Sequence, residues 1–132
     1  MTENNKPQFA GGKSSVTGAL SPDCAAIMVY ATFPSVDAAT EVGRGLVEKR
    51  LAACVNILPA MTSIYAWEGK IETAAEAVLI AKTVAERAED CMDFIRARHA
   101  YDVPAILALP VIGGLVAYLD WLRAGTAQSG PA

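Results

Sequence analysis

The chain has 132 residues, a length typical of one domain. Hydrophobic residues make up 53% of it and charged residues 19%, a balance that supports an apolar core and excludes an intrinsically disordered protein. The net charge is -3 and no block of like charge is present, so the chain lacks the clustered Lys and Arg that contact a nucleic-acid backbone. We therefore expect no nucleic-acid partner.

No feature of the sequence predicts a membrane-spanning or secreted protein. A transmembrane helix needs about 20 consecutive apolar residues, and the longest apolar stretch, Val103 to Val116, is interrupted by prolines and glycines. The N-terminus lacks the basic and apolar regions of a signal peptide. The three cysteines, Cys24, Cys54 and Cys91, form no disulfide framework or CxxC pair. We expect a cytoplasmic protein with no membrane partner.

Composition divides the chain into three parts. Residues 1–24 are rich in Gly, Ser, Thr, Asn and Lys and show no apolar periodicity, which predicts a flexible N-terminal segment. Residues 125–132 have the same character and predict a flexible tail. Residues 25–124 are expected to form the folded domain.

The first half of the domain predicts a strand, a helix and a second strand. Ala26–Phe33 is a short apolar run rich in β-branched and aromatic residues, typical of a buried strand. Ser35 is suited to cap an amphipathic helix that ends near Arg50. Residues 53–58 predict the next strand. Pro59 then indicates a bulge or an edge position, because proline has no N–H for the ladder.

A long hairpin and a second helix follow. Residues 61–67 and 71–84 are extended runs on either side of a turn at Glu68-Gly69-Lys70, which is a hairpin signal. Residues 85–98 show helical apolar spacing.

The end of the domain predicts a last strand and a short helix. Residues 103–109 form the strand, and Pro104 indicates that it begins there or lies at a sheet edge. Residues 115–123 form the helix, which we expect Gly125 to terminate.

The element order predicts an α+β fold of the split βαβ type, with two helices on one face of an antiparallel sheet. The other face carries Tyr65 and Trp67 and has no helix left to cover it. An exposed apolar face and the edges of a long hairpin both mark interaction surfaces. The sequence therefore predicts a homo-oligomer.

Six short motifs together resemble one known family. They are LAACVNILP at 51–59, SIYAWEGKI at 63–71, AKT at 81–83, HAYDVP at 99–104, ALP at 108–110 and YLDW at 118–121. In this order they resemble the CutA-type divalent-cation tolerance proteins over about residues 27–123. The resemblance implies a trimer of ferredoxin-like sandwich subunits whose sheets join at their edges. It also implies a cytoplasmic protein linked to tolerance of copper and other divalent metals, with no established reaction.

The chain departs from that family within one motif. The family usually shows His-Pro-Tyr-Glu-Val-Pro-Glu, where this chain has Ala100, Asp102 and Ala105. Ala100 removes a fixed φ angle, and Asp102 keeps a carboxylate on a shorter side chain. Ala105 deletes a carboxylate, which puts a metal or ligand role at that position in doubt.

Three residues are candidate ligands for copper or another divalent cation. Cys54 offers a thiolate suited to Cu(I), and His99 and Asp102 offer an imidazole and a carboxylate that copper accepts. The alternative for Cys54 is a buried apolar side chain. The alternative for His99 is a cation at the end of the second helix, where the helix dipole favours it. With one histidine and no CxxC or HxxxH spacing, a tight metal site requires ligands from several subunits.

A second hypothesis follows from the trimer that the resemblance implies. It is similar to the PII signalling proteins, which bind small ligands between subunits. Lys70, Lys82 and Tyr101 are then candidates for contacting a small anionic ligand in intersubunit clefts. The alternatives are a turn cap for Lys70, a solvated or ion-paired Lys82, and aromatic residues that serve the core or an interface.

Catalytic motifs are missing from the sequence. It contains no GxSxG elbow, no P-loop and no GxGxxG after a strand. A nucleophilic pair of Cys54 and His99 is the one enzymatic hypothesis that remains. We expect a binding protein and not an enzyme.

Overall fold

The computed structural model describes residues 16–17 and 26–128. In chain order the elements are β1 (Val16–Thr17), β2 (Ala26–Phe33), α1 (Val36–Glu48), β3 (Cys54–Trp67), β4 (Lys70–Val84), α2 (Ala85–Ala97), β5 (Ile106–Val111), β6 (Gly114–Leu115) and α3 (Val116–Thr126). The main sheet is antiparallel with the order β3-β4-β2-β5. The predicted α+β order is confirmed.

Helix α1 begins and ends with side-chain and backbone caps. The Ser35 hydroxyl accepts a hydrogen bond from the Ala38 N–H at 3.1 Å, which confirms the predicted N-cap. At the other end Arg50 has a φ of 60° and the Leu51 N–H donates to the Leu46 carbonyl at 2.9 Å. This is the Schellman pattern, which satisfies carbonyls that the helix itself leaves unpaired.

The core lies between one face of the sheet and the first two helices, as predicted. Alternate residues of the two central strands, β2 and β4, point to α1 and α2, because side chains on a strand alternate between faces. The buried residues of this layer are Val29, Ala31, Phe33, Ala77, Leu79 and Ala81 from the sheet, and Ala39, Val42, Leu46, Cys91 and Ile95 from the helices.

The hairpin of β3 and β4 extends beyond the rest of the sheet. Strand β2 pairs with β4 only as far as Phe33 opposite Ala77. The remaining two-stranded part, residues 61–67 and 70–76, is called the hairpin arm below, and the six rises along its seven-residue strands correspond to about 20 Å. Its turn residues Glu68 and Gly69 have φ values of 50° and 81°, as in the type I′ turn typical of two-residue hairpins.

The pairing of β3 with β4 is interrupted at the base of the hairpin arm. The register shifts between Leu58 and Met61, and Ala60 has a φ of 60°. Strand β3 is also an edge of the sheet. Pro59 therefore lies in a bulge on an edge strand, and both parts of the interpretation from sequence are confirmed.

Strand β5 begins later than the sequence predicts. It covers Ile106–Val111 and forms the second edge of the sheet, so Pro104 precedes the strand. The edge position that the proline indicated is confirmed.

Helix α3 corrects two expectations from the sequence. The helix continues through Gly125 to Thr126, so the predicted stop after Arg123 is wrong. Gly125 is needed for packing, since a Cβ there would lie 2.9 Å from Ala53 Cβ. The helix also reaches the face opposite the core, where the Lys82 ammonium donates to the Tyr118 hydroxyl at 3.4 Å. That face is therefore partly covered.

Strand β1 lies within the segment predicted to be flexible and pairs with β6, Val16 opposite Leu115 and Thr17 opposite Gly114. The rest of residues 1–24 and residues 129–132 lie outside the described part of the chain. Within that part, none of the helices has both the length and the apolar character needed to cross a bilayer.

Candidate functional site

Polar side chains from three elements meet at the base of the hairpin arm. The Glu76 carboxylate accepts a hydrogen bond from the Ser63 hydroxyl at 2.6 Å and another from the Tyr101 hydroxyl at 3.3 Å. Ser63 lies on β3, Glu76 on β4, and Tyr101 in the loop between α2 and β5. Hydrogen bonds to an ionised acceptor are stronger than neutral ones, so this cluster joins the loop to the hairpin arm.

The His99 ring is engaged at both nitrogens. Its Nδ1 accepts a hydrogen bond from the Tyr101 backbone N–H at 3.1 Å, and its Nε2 lies 2.6 Å from the Thr32 carbonyl oxygen. Since Nδ1 is the acceptor, Nε2 carries the hydrogen and donates it to Thr32. The ring also stacks on Phe33, with centroids 4.5 Å apart. His99 therefore fixes the start of the loop and offers no free lone pair to a metal ion.

The surroundings of Tyr101 disfavour its phenolate form. Desolvation raises the pKa of Tyr101 above its ordinary value, and the Glu76 charge, the hydrogen bond to Glu76 and the nearby Tyr65 raise it further. The folded chain therefore favours the neutral phenol of Tyr101 over its phenolate.

We expect Tyr101 to titrate at a higher pH than an unperturbed tyrosine. Because the folded-state pKa is raised, its contribution to stability is complete below the unfolded-state pKa and is lost as the pH rises through the folded-state pKa. Ultraviolet titration of tyrosinate checks this. The wild type should show a late component that Tyr101→Phe removes, and identical curves for the two proteins would contradict it.

Cys54 and Lys82 are opposite each other in the ladder, on the face away from the core. They are register partners in β3 and β4. The Cys54 thiol is half-buried and its sulfur lies 3.9 Å from Asn56 Oδ1. The Lys82 ammonium contacts the Tyr118 ring, 5.5 Å from its centroid. This end of the face therefore combines a partly accessible thiol with a cation and an aromatic ring.

The structure does not bring Lys70, Lys82 and Tyr101 together within one subunit. Lys70 is at the tip of the hairpin arm and Lys82 is twelve positions along the same strand, which corresponds to about 40 Å. Tyr101 lies near the base of the hairpin arm. A cleft that contains all three requires residues from different subunits.

The three candidate metal ligands are also dispersed. Cys54 lies on the outer face, whereas His99 stacks on Phe33 at the far end of β2. Asp102 is exposed beside an open groove of about 300 Å³, which Asp93 and Arg96 also line. Across residues 16–17 and 26–128, no three His, Cys, Asp or Glu side chains are grouped so as to hold a metal ion. Cys54, His99 and Asp102 therefore do not form a metal site within the single chain.

The same separation speaks against the nucleophilic pair of Cys54 and His99. Cys54 lies two strand spacings across the sheet and four residues along β2 from Thr32, whose carbonyl His99 contacts. These two displacements are at right angles and combine to about 16 Å. Cys91 is no substitute, because burial in the core raises the pKa of its thiol to about 12. Cys24 lies outside the described residues.

Glu76 and Ser63 were missed by the sequence analysis. The only signal was a carboxylate within the alanine-rich run 74–77. Its pairing with Tyr101, 25 residues away, depends on the fold.

Comparison with known proteins identifies the class of this chain. The CutA1 divalent ion tolerance protein family matches residues 27–125. The chain belongs to that family. The rice protein CutA 1, chloroplastic, is 43% identical over 103 residues, which are 78% of this chain and 58% of the rice protein. The divalent-cation tolerance protein CutA of Thermus thermophilus is 44% identical over 99 residues, 75% of this chain and 96% of the relative.

Solved structures agree with the fold. CutA1 from Oryza sativa matches with a TM-score of 0.76 and 39% identity, covering 86% of this chain and all of that one. The Cut A1 protein of Thermus thermophilus matches with a TM-score of 0.74 and 43% identity, covering 77% of this chain and 99% of that one. The chain spans 58% of the rice relative and 62% of the human protein CutA. The family description names tolerance of divalent ions and no catalysed reaction.

Proposed function

We propose that the protein acts as a cytoplasmic homotrimer in tolerance of divalent metal ions, binds copper or a similar cation between its subunits, and catalyses no reaction. The family supports the role in tolerance. The observation that carries the assembly is the apolar surface of the hairpin arm, where Ile64 is 70%, Ile71 74% and Trp67 60% exposed. Exposed patches of this kind mark interfaces.

A second copy of this chain is the occupant that fits the hairpin arm. Ile64 and Ile71 lie on one side of it and Tyr65 and Trp67 on the other, so both sides need a cover. Among the residues that the structure describes, no strand pairs with the outer edge of β3 or of β5, and Leu107 and Leu109 are exposed along β5. Strand pairing between copies covers edges and side chains together.

The dispersed ligand candidates favour a shared metal site over one within a subunit. His99 has both nitrogens engaged, so the half-buried Cys54 thiol is the candidate that remains near the outer face. Thiolate is a soft ligand suited to Cu(I). In a closed trimer the three Cys54 side chains are related by symmetry, so a metal site on the threefold axis would draw one thiolate from each subunit.

Native mass spectrometry tests the assembly. The full chain should appear as a trimer, and Ile64→Glu with Ile71→Glu should shift it to monomer, because two charges then face a desolvated surface. The matched control is Thr40→Glu with Val47→Glu, since both residues are exposed on α1 and neither lies at the end of the helix that approaches the hairpin arm. A wild-type monomer, or equal dissociation of both double variants, would refute the assembly.

The same experiment with stoichiometric Cu(I) tests the metal. Whole-number copper adducts on the wild-type trimer should disappear in Cys54→Ser and persist in Cys91→Ala, since Cys91 is buried. Copper adducts that persist in Cys54→Ser would show that other residues hold the metal. A trimer without adducts that retains a nucleotide or another small anion would support the PII-like module instead.

A further inference from the structure

The junction between the sheet and the hairpin arm has few backbone hydrogen bonds. Strand β2 stops pairing with β4 at Ala77, so β4 has one neighbour from Glu76 outward. At the same level β3 carries the bulge between Leu58 and Met61, where Pro59 has no N–H to donate. In a subunit that has not yet assembled, a two-stranded ribbon attached through such a junction is free to twist and bend unless side chains hold it.

Side chains from the loop between α2 and β5 cross this junction. The loop is tied to the end of β2 at two points. His99 Nε2 donates to the Thr32 carbonyl, and the Thr32 N–H donates to the Ala105 carbonyl at 3.3 Å. Between these ties Tyr101 reaches the first residue of the hairpin arm, Glu76.

Each member of this series fixes the next. The His99 ring is held against Phe33 and accepts the Tyr101 N–H, which sets the backbone of Tyr101. The two aromatic rings lie 4.8 Å apart, which restricts the phenol. One Glu76 oxygen accepts from Tyr101 and the other from Ser63, so the carboxylate bridges the loop and both strands of the hairpin arm.

We propose that the loop between α2 and β5 is a clamp, which holds the hairpin arm of the unassembled subunit at a fixed angle to the sheet through Thr32, His99, Tyr101, Glu76 and Ser63. The bond between Tyr101 and Glu76 is its releasable step. Tyr101 is 41% exposed, so a solute or partner can reach its hydroxyl. Release leaves the sheet and core intact and frees the hairpin arm at the bulge.

Hydrogen–deuterium exchange of the full-length protein tests the clamp in the Ile64→Glu, Ile71→Glu background, so that no second copy covers the hairpin arm. Tyr101→Phe removes one hydroxyl and keeps the ring. We expect amides of residues 61–63 and 74–76 to exchange about five- to tenfold faster, the change that loss of one exposed hydrogen bond of ordinary strength produces. Amides of 27–33 and 79–82 should keep their wild-type rates, because a clamp acts on the junction alone.

Ser63→Ala and the double variant complete the test. Both hydroxyls hold one carboxylate, so the effects of Tyr101→Phe and Ser63→Ala should be non-additive. The control is Tyr118→Phe, which removes a hydroxyl bonded to Lys82 on the far part of the sheet and should leave residues 61–76 unchanged. Unchanged exchange at 61–76 in both single variants overturns the proposal, and so does faster exchange spread evenly over the core strands.

Discussion

Phe33→Ala is expected to lower the free energy of unfolding by about 4 kcal/mol. Phe33 is 1% exposed, at the point where the sheet, α1 and α2 meet. Truncation loses the transfer free energy of the ring and leaves a cavity that a packed core refills only in part. It also removes the surface on which His99 stacks. Urea unfolding followed by circular dichroism, at one fixed protein concentration, gives the value.

The graded control is Phe33→Leu, which keeps an apolar side chain of nearly the same reach. It should cost about 1 kcal/mol, because volume-conserving changes in cores are tolerated. It also keeps the experiment informative if the alanine variant does not fold. Equal stability of the alanine variant and the wild type would mean that this position is not part of the core.

Gly43→Leu is expected to lower the free energy of unfolding by about 3 kcal/mol. Here the cause is overpacking and not a cavity, because the new side chain adds atoms where there is no room. Gly43 lies on the buried side of α1, and a Cβ there would come within 2.9 Å of Val55 Cγ1. Val55 is β-branched and paired in the sheet, so its side chain has little freedom to move away. Thermal and urea unfolding of the variant measure the loss.

Arg44→Leu provides the matched control. It places the same side chain one position further along α1, where the residue is exposed. Replacing a glycine within a helix by itself favours folding by about 1 kcal/mol. A Gly43→Leu variant as stable as the wild type would therefore show that α1 moves away from β3 without a loss of packing energy. Similar destabilisation by both variants would point to the helix and not to its contact with β3.

The local signals in the sequence predicted the elements well. Ser35 caps α1, Pro59 lies in a bulge on an edge strand, and the Gly69 turn joins the hairpin, because each effect depends on a few neighbouring residues. Gly125 misled the prediction for the opposite reason. A glycine near a helix end is commonly a stop, but here close packing on Ala53 requires it inside the helix.

The candidate site was predicted less completely, since its contacts join distant parts of the chain. The motif around His99 and Tyr101 drew attention to both residues, but as a metal ligand and an anion contact. The partners that define their roles, Thr32 and Glu76, are 67 and 25 residues away. Only the fold shows that His99 holds a loop in place and that Tyr101 bonds to a carboxylate.

Each edge strand of the sheet carries a proline, Pro59 in β3 and Pro110 in β5. An open edge is a template on which further strands can add without limit, the first step toward aggregates and fibrils. Proline has no N–H to donate, so a strand can pair with such an edge only in a register that does not need that hydrogen bond. The two prolines thereby protect a newly synthesised chain from edge-to-edge aggregation before it meets a second copy.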